Sequence, residues 1–232
     1  MNVPRRIVLV RHGESERNAL KGDQIFYPPT EAGELLSAVP SENMPLSKNG
    51  QKQARLTGQA LRKQYGTFDH IYHSGMRRVN ETAEGILEAY TPAERSRMPV
   101  NHNLRIRERD PGYTYGMTAE EADAAFPWLQ RHFEVVGKFF GRPPGGESVA
   151  DVALRVGPFF KKINAENAGE SLLIITHGGV ISSFRYYIEG WSYRQARELV
   201  GEASSACCGV TVFEYGEEKD GLVLREHNSV FY

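Results

Sequence analysis

Two histidines set at the ends of apolar runs are the side chains of this chain best placed to do chemistry. His12 follows Ile7-Val8-Leu9-Val10-Arg11 and precedes Gly13; His177 follows Leu172-Leu173-Ile174-Ile175-Thr176 and precedes Gly178-Gly179. Each run reads as a buried strand, and each glycine as the point where strand becomes loop. If both strands are central and parallel, the two imidazoles emerge on one sheet edge, where open α/β sheets place their ligands. A histidine that merely ends a strand is ordinary; a matched pair points to a site.

Arginines point the same way. Arg11 adjoins His12, and Arg77-Arg78 follow a second strand end at Ser74-Gly75. Guanidinium groups match phosphate oxygens in pairs and stay charged, which suits them to a phosphoryl group. A neutral imidazole whose other nitrogen is fixed by a hydrogen bond can attack phosphorus. Arginines and a second imidazole can then stabilise charge on the equatorial oxygens. Such a site also needs an acid to protonate the leaving oxygen. Glu108, just past a strand end and flanked by Arg107 and Arg109, is the candidate. The same pocket could instead hold phosphate without turnover.

These side chains need a scaffold, and the rest of the sequence supplies one. Helical patterns run from Gln51 to about Tyr65 behind a Ser47 cap, from Met76 to Tyr90, from Glu147 or Ser148 through Ile163, from Val180 to Ile188 and from Ser192 to Leu199. Thr118 with Glu121 forms a capping box, and Pro127 opens a further helix through Phe133. Strands are expected at Phe68 to Ser74, near Val100 to Leu104, and in an edge hairpin of Gly209 to Tyr215 with Leu222 to His227. Strands alternating with helices predict a three-layer α/β/α sandwich around a mainly parallel sheet, in a single domain spanning 1–232. Ala19 to Pro45 shows no stable period and reads as a long loop or lid; a second insertion lies at about 105–147.

Composition narrows the function classes. With 28 basic and 29 acidic residues in 232, the net charge of −1 provides no general field for nucleic acid or anionic lipid. No secretory signal or membrane-length apolar run is present, so a cytoplasmic location is expected. Cys207 and Cys208 are adjacent, cannot staple the fold, and read as small hydrophobes. No compact zinc motif, dinucleotide fingerprint or P-loop is found. The edge hairpin could pair with a second copy as a homodimer.

At these residues the chain resembles the histidine phosphatase superfamily, the phosphoglycerate mutase-like group. The match rests on Leu9-Val10-Arg11-His12-Gly13-Glu14-Ser15 with Asn18, Leu46-Ser47 with Gly50 and Gln53-Ala54, Ser74-Gly75-Met76-Arg77-Arg78-Val79 with Thr82-Ala83, Glu108, and Thr176-His177-Gly178-Gly179. The resemblance implies that His12 becomes a phosphohistidine, that Arg11, Arg78 and His177 bind the phosphoryl group, and that Glu108 is proton donor and later base. Asn18, Ser15 and Gly178 are expected beside the substrate, and Phe26 and Tyr27 over the cleft as selectors. Arg78, rather than Arg77, is the family arginine. No metal or cofactor is required, and the expected partner is a small phosphorylated substrate. Arg109 to Gly116 departs from the longer stretch that family mutases carry after the glutamate. Phe139 to Ser148, with Asp151 and Arg155-Val156, looks like a fungal and plant branch mostly assigned as phosphatase or left uncharacterised. Phosphomonoester hydrolysis is therefore the first expectation, and cofactor-dependent phosphoglycerate mutase the second.

Overall fold

The computed structural model describes residues 2–22, 24–202 and 205–232. Met1 lies outside the described residues, as does Asp23 within the expected loop or lid of 19–45.

The first strand, β1 (Arg6–Arg11), has Ile7 to Val10 fully buried. After it come α1 (Glu16–Lys21), α2 (Glu31–Ser37), α3 (Lys48–Tyr65), β2 (His70–His73), α4 (Arg77–Leu87), α5 (Pro92–Arg95) and β3 (Val100–His102). The second half holds α6 (Ala119–Ala125), α7 (Leu129–Val136), α8 (Val149–Glu166), β4 (Ser171–Thr176), α9 (Gly178–Glu189), α10 (Tyr193–Glu202), β5 (Val210–Gly216) and β6 (Gly221–Ser229). The sheet order is β3-β2-β4-β1-β5-β6. The first four strands are mutually parallel; β5 runs antiparallel to β1, and β6 antiparallel to β5.

Both faces of β1 and β4 are covered, which is why these strands read as unbroken apolar runs. Side chains alternate between faces. Ile7, Leu9, Leu172 and Ile174 pack with Val152, Val156 and Phe159 of α8 and Phe184 of α9. Val8, Val10, Leu173 and Ile175 pack with Leu61 of α3 and with Val79 and Ile86 of α4. Full burial of such a side chain contributes about 1.5–3 kcal/mol, so the two central strands anchor the sheet. No described helix is long and apolar enough to cross a membrane.

Several sequence expectations shift. The stretch 19–45 contains α2 and a 3-10 turn at Ser41–Asn43. Only Gly33 of α2 is buried, so the helix is held by its Thr30 cap and leaves no apolar stripe in the sequence. The stretch 105–147 contains α6 and α7. In the C-terminal hairpin only β6 is an edge, because β5 pairs with β1. The strand expected to reach Leu104 ends at His102, and Leu104–Ile106 forms a 3-10 turn.

The start of α3 lies directly against the backbone that follows β1. A Cβ added at Gly50 would stand 2.0 Å from the Glu14 carbonyl oxygen. Alanine is the better helix former by up to about 1 kcal/mol, but overpacking against rigid backbone costs about 1–3 kcal/mol. Gly50→Ala is therefore expected to destabilise the protein in urea unfolding; an equal or higher midpoint would show that the two segments are not in contact.

Candidate active site

The register of β1 and β4 builds the site. Arg11 lies opposite Thr176, so the next residue of each strand is a histidine, and the His12 amide donates to the Thr176 carbonyl at 2.9 Å. The two rings stand with centroids 5.2 Å apart at 61°. Both are buried, His177 completely.

Nδ1 of His12 lies 2.8 Å from the Gly13 carbonyl oxygen. A carbonyl only accepts, so Nδ1 carries the proton and Nε2 presents a lone pair. Burial, and then the charges of Arg78 and Arg11, hold the His12 pKa well below the ordinary imidazole value. Gly13 is itself pinned: its amide donates to Thr82 Oγ1 at 3.0 Å, and that hydroxyl donates to the Arg78 carbonyl at 2.6 Å. One threonine of α4 thus ties the nucleophile's loop to the arginine.

Arg78 is 5% exposed. Its Nη1 donates to the Ser41 carbonyl at 2.6 Å, while Nη2 lies 3.4 Å from His177 Nδ1 and 3.9 Å from Glu108 Oε2. Arg77 is exposed and pairs with Glu81 at 2.7 Å one helical turn on, as expected for a surface residue. His177 Nδ1 is also 3.4 Å from Glu108 Oε2. One nitrogen cannot both donate to the carboxylate and accept from the guanidinium. The carboxylate can only accept, so the Nδ1 proton belongs there, and the Ser74 hydroxyl, 2.9 Å from Nε2, donates to the other nitrogen. Burial lowers the His177 pKa to about 4 against the pull of Glu108.

Glu108 follows the 3-10 turn. Burial by itself would raise its pKa, but His177, Arg78 and His12 together hold it well below the usual carboxylate range. Its Oε1 accepts the Arg109 amide at 2.7 Å. Arg155 of α8 fixes the loop, donating to the carbonyls of Arg105, Arg107 and Glu108 and pairing with Glu147 at 2.8 Å.

The remaining expected residues divide. Arg11 is half-buried, and its Nη1 donates to the Ser205 carbonyl. Ser15 caps α1 and shares a capping box with Asn18, whose Oδ1 accepts from the Ser15 backbone amide and hydroxyl; the side-chain Nδ2 of Asn18, which lines the cavity, is thereby left over for the cleft. Gly178 opens α9, whose N-cap His177 makes no side-chain cap bond. A helix start with free amides favours an anion. His12, Arg11, Ser15, Asn18, Phe26, Arg78 and Glu108 line one cavity of about 520 Å³. It joins a second, of about 730 Å³, along Arg11, Phe26, Glu108, Arg109, Leu129 and Phe133. Tyr27 corrects the expectation: it is 3% exposed and turned away from both cavities, with Arg17 over its ring at 5.2 Å.

His12, Glu108 and His177 lie close enough to share a cation. However, His12 Nδ1 is committed to Gly13, and Arg78 sits against His177, so the local charge favours an oxyanion. Sequence reading missed Arg109, which lines both cavities and was legible only as the neighbour of Glu108, and Arg17, which lies over Tyr115 at 4.7 Å. It also missed the chamber walls from α7, which carried no local signal.

The chain is similar to known proteins over nearly its whole length. A phosphoglycerate mutase of Schizosaccharomyces pombe is 29% identical over 94% of this chain and 92% of its own length. A 2,3-bisphosphoglycerate-dependent phosphoglycerate mutase of Parvibaculum lavamentivorans is 28% identical over 97% and 96%. The solved mycobacterial glucosyl-3-phosphoglycerate phosphatase, in complex with VO3, shares the fold with a TM-score of 0.69, 23% identity and coverage of 95% and 96%. The family model for branch 1 of the histidine phosphatase superfamily matches residues 7–228, and the chain belongs to that superfamily.

Proposed function

We propose that the protein hydrolyses phosphomonoesters through a phosphohistidine on Nε2 of His12. The observation that carries this reading is the bond from His12 Nδ1 to the Gly13 carbonyl, which leaves Nε2 unprotonated inside a buried cationic pocket. Arg11, Arg78 and Nδ2 of Asn18 take up the charge of the phosphoryl group, joined by the Nδ1 proton of His177 once the substrate draws Glu108 away from it, with the opening amides of α9 behind them. Nε2 forms the bond to phosphorus as the ester P–O bond breaks, and the electron pair leaves on the alcohol oxygen. Glu108 gives that oxygen a proton, then takes one from the water that attacks the phosphohistidine. Inorganic phosphate leaves and His12 is restored. The scheme uses no metal or cofactor.

In the free protein Glu108 is ionised, so the proton must arrive with the substrate. A phosphomonoester monoanion brings it, and the negative charge placed beside the carboxylate raises the Glu108 pKa enough to receive it. Transfer to a second hydroxyl is the other reading, favoured by the mutase names of the sequence relatives. The short turn-rich run Arg109 to Gly116, directly after Glu108, supports water as the acceptor.

Mixing the protein with an aryl phosphate and quenching in alkaline denaturant is expected to leave one phosphoryl group on the His12 peptide, absent in His12→Asn. Phosphate release without that species contradicts the scheme. So does phosphoglycerate isomerisation, primed by 2,3-bisphosphoglycerate, that outruns phosphate release.

For an alkyl ester, kcat/KM is expected to fall about tenfold per pH unit above about pH 6, where the second phosphate proton is lost. Glu108→Gln should lose about 10²–10⁴ in rate on alkyl esters and much less on aryl esters with good leaving groups. Equal losses on both would remove Glu108 as the acid.

A further inference from the structure

Beyond the phosphoryl pocket, the larger cavity has walls that the hydrolysis itself does not use. Resting on the phosphatase reading above, we propose that this chamber binds the alcohol portion of the substrate, and that the preferred substrate is a phosphomonoester of an uncharged alcohol with a bulky apolar or aromatic body.

The inner end of the chamber is the reacting site: Arg11, Glu108 and the opening glycines of α9, Gly178 and Gly179, all line it. An ester oxygen held by Glu108 therefore has its carbon substituent directed along the cavity. The walls there are Ile25, Phe26, Leu129, Phe133 and Val149. At about 730 Å³, the space falls in the range of pockets that enclose drug-sized ligands, about 300–1,000 Å³.

Ile25 gives the clearest sign. It is 76% exposed, a large apolar side chain left in solvent at the lip of a cavity lined by other apolar groups. An apolar ligand would cover it; water gains nothing from it. The charged groups at the rim argue the same way. Asp123 and Glu134 are balanced by Lys138 and Arg109, so a second anionic group on the alcohol finds no net attraction there.

The test holds the leaving-group chemistry constant by using primary alkyl phosphates: ethyl, hexyl and 2-phenylethyl, with 3-phosphoglycerate as the charged comparison. Each methylene that becomes fully buried is worth about fourfold. With partial burial, kcat/KM for the hexyl and phenylethyl esters is expected to exceed that for ethyl phosphate by at least about tenfold. Ile25→Ser and Phe133→Ala should each lower the phenylethyl-to-ethyl ratio by about threefold or more. Phe133 lies close over Gly141, so its replacement can disturb the loop; Ile25, being exposed, carries the test if it does. General damage to the fold lowers both rates together and leaves the ratio where it was. An unchanged ratio in Ile25→Ser, equal rates on all the alkyl esters, or a preference for 3-phosphoglycerate overturns the proposal. Absence of phosphate release from every ester would instead remove the phosphatase reading on which it rests.

Discussion

The parallel pairing of β1 with β4 is the constraint from which the rest of the site follows. Because Arg11 is set opposite Thr176, two residues distant in the chain leave adjacent strands side by side, and both happen to be imidazoles. A slip of one residue would turn one ring to the opposite face of the sheet. The register is fixed by burial: Ile7 and Leu9 must face α8 and α9, while Val8 and Val10 must face α3 and α4. Packing far from the reacting atoms therefore sets the distance between them.

Charge follows from that placement. Burial strips the imidazoles of solvent, and nearby guanidinium groups make a further positive charge costly, so His12 stays neutral. His177 first, through its hydrogen bond, and then Arg78 keep Glu108 ionised until an anion arrives. A site short of negative charge when empty is suited to bind a phosphoryl group and to use the arrival of that group to prepare its own acid. Thr82 and Arg155 line neither cavity, yet each holds two parts of the site together: Thr82 joins Gly13 to Arg78, and Arg155 ties α8 to the loop of Glu108.

Much of this was legible in the sequence because it is written in local patterns. The apolar runs of β1 and β4, the Ser47 cap, and the glycines after each histidine are signals of a few residues each. Arg78 was separated from Arg77 by the family resemblance alone; neighbouring helical residues point in different directions, and in the fold Arg78 is buried while Arg77 is exposed and pairs with Glu81. Phe26 and Tyr27 pose the converse problem. In extended chain, adjacent side chains alternate, so only one can face the cleft, and the choice is made by the pairing of Tyr27 with Thr118. That pairing spans most of a hundred residues and leaves no local trace. The chamber wall is hidden for the same reason: Ile25 and Phe133 meet only after α6 and α7 fold across the sheet edge. Helix α2 was missed because it buries a single glycine.

The account depends most directly on His12 being a neutral imidazole with its proton on Nδ1. Two-bond ¹H–¹⁵N correlation spectra of ¹⁵N-histidine-labelled protein, with His12 assigned by comparison with His12→Asn, report this directly. The expected result is a pyrrole-like Nδ1 and a pyridine-like Nε2 that persist as the pH is lowered past the ordinary imidazole pKa of about 6.5. An imidazolium pattern at neutral pH, or the proton on Nε2, would contradict it.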